Sequence, residues 1–163
     1  MTVRPLVRLS LVLAMAAIVI VAGGCAGVGI GETINTRTAD LDIPYPDTND
    51  VPELVLAFGA AEFEARPGGE ALLSGEVRYN VAGLNPEIVT DDERVEVKQT
   101  SNIVPAGMVN EWRVTLGTAR PYRLEVNAGA YEGDWDLGGL PLRELEVFQG
   151  ASSSTFDFSA PNP

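Results

Sequence analysis

Apolar and polar residues alternate along most of this chain, and the alternation comes in short runs. Tyr122, Leu124 and Val126 interleave with Arg123, Glu125 and Asn127. A period of two sends successive side chains to opposite faces of a strand. The pattern predicts strands over Glu53–Phe58, Ala60–Ala65, Ala71–Asn80, Arg94–Gln99, Glu111–Leu116, Tyr122–Asn127, Tyr131–Asp136, Leu142–Phe148 and Ser152–Phe158. Turn formers separate them at Pro67-Gly68-Gly69, Asn85-Pro86, Asp91-Asp92, Pro105-Ala106-Gly107 and Gly138-Gly139. Short strands punctuated in this way predict an all-β domain. No helical period appears after residue 24.

One run recurs. Leu124-Glu125-Val126-Asn127-Ala128-Gly129-Ala130 returns 21 residues later as Leu145-Glu146-Val147-Phe148-Gln149-Gly150-Ala151. Trp135-Asp136-Leu137 then aligns with Phe156-Asp157-Phe158, and Leu54 to Ala60 is an earlier copy. A unit of two strands that repeats itself suits a coil stacked on its neighbour. Stacking predicts Leu145 on Leu124 and Val147 on Val126, a ladder whose apolar face is buried only by adjacent units. The pairs Gly59-Ala60, Gly129-Ala130 and Gly150-Ala151 are expected at sharp corners, where glycine tolerates backbone angles that other residues do not.

The first 24 residues follow another rule. Arg4 and Arg8 precede an apolar stretch from Leu9 to Ala22, which ends in Ala22-Gly23-Gly24-Cys25. A positive start, an apolar core and small residues at the cut site make an export signal. The stretch is shorter than the about 20 apolar residues that span a bilayer. Cys25 is the sole cysteine, so it has no internal disulfide partner. We read residues 1–24 as a lipoprotein signal peptide in helical form, and Cys25 as the lipidated first residue of the mature protein. Stable anchoring takes two or more acyl chains at about 0.8 kcal/mol per buried CH₂. Residues 25–52, rich in Gly, Thr, Asp, Asn and Pro, are expected to be a tether, and Thr33–Ile43 tolerates extension as an edge strand. Residues 53–163 are the β domain.

Charge narrows the partners. Losing Arg4 and Arg8 leaves 23 acidic residues against 9 basic ones, or −14. Lys98 is the one lysine. Nucleic acid is excluded as a partner, because phosphate binding needs clustered bases. The chain has no histidine, the commonest general acid–base residue and metal ligand. No cofactor is implied.

Several stretches go together: Leu56 to Phe63, Leu72 to Asn80, Pro86-Glu87-Ile88, Asn110-Glu111-Trp112, Leu124 to Ala130, Asp136 to Leu140 and Gln149-Gly150-Ala151. In combination they resemble the toast-rack N-terminal domain of bacterial envelope proteins. The family includes relatives of LiaF-type cell-wall-active antibiotic response proteins and adhesin-like domains. The resemblance implies a single-layer stacked β-ladder, solenoid-like, with a link to envelope stress and no known catalytic residues. A lipidated Cys25 stands where LiaF-type proteins have spanning helices.

Other candidates are weaker. Asp91-Asp92-Glu93 gathers carboxylates as a divalent cation site would, or as a solvated turn does. Gly129 to Asp136 is faintly like calcium-binding β-helix repeats, but the later copy keeps one carboxylate, so no metal is expected. Ser152-Ser153-Ser154-Thr155 lacks the adjacent base that a nucleophile needs. The resulting expectation is a non-catalytic, lipid-anchored scaffold or interaction module on the extracytoplasmic side of a membrane. An envelope partner would pair with the open β edge. The alternative is a glycan- or lipid-binding lipoprotein using a strip of Tyr79, Trp112, Tyr122, Tyr131 and Trp135.

Overall fold

A computed structural model of the protein describes residues 35–101, 105 and 107–163. The expected signal peptide, residues 1–24, and the expected lipidation site Cys25 lie outside the described residues. The strands are β1 (Arg37–Ile43), β2 (Glu53–Phe58), β3 (Ala61–Pro67), β4 (Leu73–Tyr79), β5 (Glu87–Asp91), β6 (Arg94–Lys98), β7 (Asn110–Leu116), β8 (Tyr122–Ala128), β9 (Tyr131–Asp136), β10 (Leu142–Gln149) and β11 (Ser152–Asp157). A single 3-10 turn covers Ala82–Leu84.

The strands form two sheets. One has the order β1-β4-β7-β3-β9-β11, the other β10-β8-β2-β6-β5. Each repeat contributes one strand to each sheet: β2 then β3, β8 then β9, β10 then β11. Within a sheet these strands run parallel, and the repeat sets their register. Leu145 pairs with Leu124 and Val147 with Val126, while Leu54 and Leu56 pair with Leu124 and Val126 from the other side.

The ladder has two walls where a single layer was expected. The reason lies in the alternation on both sides of each corner. Leu54, Leu56 and Phe58 on β2 and Phe63 and Ala65 on β3 are all buried. A lone sheet would leave one of these apolar rows in water. The turn at Gly59-Ala60 brings β3 over β2, so that Phe58 stacks on Phe63 with centroids 4.9 Å apart. At about 25 cal/mol per Å² of apolar surface, burying both rows supplies most of the driving force.

Two segments extend this pattern. Part of the 25–52 stretch is strand: β1 borders the six-stranded sheet antiparallel to β4, with Leu41 and Ile43 buried. β5, absent from the predicted strands, forms a hairpin with β6 through Asp92 and Glu93. All five of its residues are exposed. With neither face buried, β5 had no one-sided apolar pattern to betray it.

Candidate functional site

The site expected from sequence was the open end of the ladder, and its geometry begins with the aromatic core. Phe63 opposes Trp112 on β7 and Gly133 on β9. Gly133 leaves room that its neighbours fill: a Cβ there would crowd Trp135 Nε1 at 2.8 Å and run into the Tyr131 ring. Trp135 thereby reaches across to Phe63, with centroids 4.2 Å apart. The stack runs from Trp112 through Phe63 and Trp135 to Phe156.

This arrangement overturns the glycan strip. Trp112 is 1% exposed and Trp135 0%. Tyr79, Tyr122 and Tyr131 are buried as well. Aromatics at inward positions of alternating strands pack the core, and none offers a ring face to a sugar.

The Gly-Ala corners sit directly above one another. Gly129 donates its N–H to Phe58 O at 3.0 Å, and Gly150 donates to Ala128 O at 3.1 Å. A Cβ on Gly129 would meet Gly59 O at 3.2 Å, and one on Gly150 would meet Gly129 O at 3.2 Å. Neither glycine adopts positive φ. Close stacking of coil on coil, and not an unusual backbone angle, is what requires glycine here.

Among the described residues no further coil stacks on the one that follows Gly150. β10 and β11 form the last coil and are the outermost strands of their sheets. Their inward residues Leu145, Val147 and Phe156 are only half-buried against the core. Phe148 is 57% exposed and Phe158 50%. Gly139 donates to Ala160 O at 3.2 Å, so the tail continues in line with β11 and does not turn back across its free edge. Gln149 holds the coil together: its Oε1 accepts from Tyr131 Oη at 2.9 Å and from Ser154 Oγ at 3.2 Å.

A family model described as the N-terminal domain of toast_rack, DUF2154, matches residues 32–162. The chain belongs to the toast-rack N-terminal domain family. A solved structure shares the fold. A candidate cell adhesion protein from Clostridium sporogenes has a TM-score of 0.69 at 24% identity, over 78% of this chain and 64% of that one. A candidate adhesin from Bacteroides fragilis has a TM-score of 0.41 at 7% identity, over 76% of this chain and 63% of that one. The toast-rack chain thus spans less than two thirds of the length of either protein. No curated protein matches the sequence.

In the toast-rack domain the remaining candidates fall apart. Asp92 and Glu93 are the hairpin turn between β5 and β6, with Asp91 paired to Arg94 across it. Among the described residues no group of three or more carboxylates is arranged to hold a metal ion. Ser153 and Thr155 point outward on β11 and Ser152 and Ser154 inward, so the hydroxyls divide between two faces.

Sequence reasoning missed one polar cluster. Asn110 is buried inside the toast-rack core. Its Nδ2 donates to Ala60 O at 2.7 Å and to Gln99 Oε1 at 2.9 Å. Its Oδ1 accepts from Gln99 Nε2 at 2.8 Å and Trp112 Nε1 at 3.1 Å. The signal was available: Asn110 shares the inward period of Trp112, Val114 and Leu116.

Proposed function

We propose that this protein is a non-catalytic, lipid-anchored component of the cell envelope whose toast-rack domain serves as a scaffold or protein-interaction module. The observation that carries the reading is the last coil, where β10 and β11 leave both walls unpaired. Unpaired strand edges are templates for another strand. The export signal ending at Cys25 supports an extracytoplasmic location held by lipid, with palmitate among the acyl groups. The shared fold with a candidate cell adhesion protein supports an envelope-exposed, adhesin-like role. Likeness to antibiotic-response relatives extends the reading to envelope stress, which rising expression under cell-wall antibiotics tests.

Growth with an alkyne fatty-acid analogue tests the anchor. The wild type is expected to take up label and to sediment with membranes. Cys25→Ser is expected to do neither as a mature protein. Equal labelling and equal membrane fractions for the two would overturn the reading.

A further inference from the structure

The two free edges of the last coil differ in charge. β9 and β11 together carry Glu132, Asp134, Asp136 and Asp157, and neither has a Lys or Arg. Register sets Glu132 beside Ser153, Asp134 beside Thr155 and Asp136 beside Asp157. These residues alternate with inward Tyr131, Trp135 and Phe156, so they share the outer face. No ion pair among the described residues engages the four carboxylates. Further along the same sheet, Glu111 pairs with Arg78 and Arg113. On the other wall, β8 and β10 carry Arg123 and Arg143 beside Glu125, Glu144 and Glu146.

The backbone of β11 is oriented for an added strand. Asp157 O accepts from Leu137 N–H at 2.8 Å. By alternation the backbone groups of Ser153, Thr155 and Asp157 face β9, and those of Ser152, Ser154 and Phe156 face the free edge. On the inner side, Phe156 is the last ring of the aromatic stack.

We infer that β11 accepts an extended protein segment with Lys or Arg at alternate positions and apolar or aromatic residues between them. The unpaired edge supplies the hydrogen bonds, and the charge selects the occupant. Strands lie about 4.8 Å apart, so bases on an added strand stand about 5 Å from Asp157 and about 10 Å from the β9 carboxylates. The first distance lies within the Debye length of about 8 Å at physiological salt and the second beyond it, so the β9 carboxylates act mainly at lower salt. An apolar residue facing inward extends the stack beyond Phe156. A second copy of this chain is the wrong occupant, because β11 on β11 sets the same carboxylates against each other. The inference rests on the interaction-module reading and narrows it to one edge and one chemistry.

Binding of synthetic peptides to the full-length protein in detergent tests it. The peptides alternate valine and phenylalanine with Lys, Gln or Glu. At about 10 mM salt, where the Debye length is about 30 Å, the Lys peptide should bind, weaken as salt rises and lose at least about tenfold in affinity on the triple change E132Q/D134N/D136N. Ser154→Pro, which removes an edge N–H, should weaken it too while thermal unfolding stays cooperative. Equal binding of Lys and Glu peptides, an unchanged affinity for the triple variant, or self-association through β11 would overturn the inference. Capture of membrane partners that is indifferent to the triple variant would sink this inference and leave the module reading standing.

Discussion

Phe156 stacks on Trp135 with ring centroids 5.7 Å apart and planes 15° from parallel. Among the described residues no ring continues the stack beyond it. The pair marks where a packed ladder becomes an exposed one. Trp135 lies between Phe63 and Phe156, whereas Phe156 has a neighbour on one side only. Trp135→Ala should therefore cost about 3–5 kcal/mol and Phe156→Ala only about 1–2 kcal/mol. Urea unfolding measures both, and equal costs would mean that the last coil is covered.

Coil stacking makes a graded prediction for the glycines. Gly129→Ala pushes a methyl group against Gly59 O and should cost about 1–3 kcal/mol. Gly150→Ala makes the same contact on an exposed coil that can shift outward, and should cost less. Gly75 is the severe case. Its φ is +136° and a Cβ there would run into the backbone of Arg113 and Val114. Gly75→Ala combines overlap with backbone strain and should cost about 3 kcal/mol or more.

The Asn110–Gln99 pair should behave as a unit. Asn110→Ala leaves Trp112 Nε1 and Gln99 Oε1 without their partner, while Gln99 Nε2 keeps Leu84 O at 2.6 Å, and should cost about 2–4 kcal/mol. Gln99→Ala should cost nearly as much, and the double variant clearly less than the sum. Additive costs would mean that the two amides act independently.

Alkaline pH offers another test. Tyr122 is fully buried, and among the described residues its hydroxyl has no hydrogen-bond partner. Burial, with Tyr45 adding a smaller push, raises its pKa far above the ordinary value of 10.0. The unfolded chain then releases this proton near pH 10 while the folded one keeps it. The Tyr122 contribution to stability should be constant below about pH 9 and be lost as pH rises past about 10. Tyr122→Phe should reduce that fall and be neutral or stabilising at pH 7, since it removes an unsatisfied hydroxyl. A fall of the same size in Tyr122→Phe would assign it to other groups.

The sequence revealed the coils because Leu124/Leu145 and Trp135/Phe156 repeat at one spacing, and parallel stacking turns that spacing into register. It could not reveal two walls, since a period of two reports which side chains share a face, not what the face meets. Trp112 and Trp135 could be core or ladder packing, the favoured reading, or a ligand strip for the same reason: an aromatic row at strand spacing reads alike whether it faces solvent or a second sheet. The corner glycines were legible as corners, but their cause was not, because the carbonyl that crowds Gly129 belongs to Gly59, distant in sequence. β5 escaped because a strand exposed on both faces leaves no hydrophobic period.

Photo-cross-linking in intact cells tests the central claim, that the open β11 edge receives a partner while the protein is anchored at the membrane. A photoreactive residue replaces the outward-facing Thr155 on β11 or, as control, Thr38 on β1 at the opposite edge of the same sheet. The account predicts a discrete cross-linked envelope protein from position 155, in the membrane fraction, and none from position 38. The same product from both positions, or none from position 155, would contradict it.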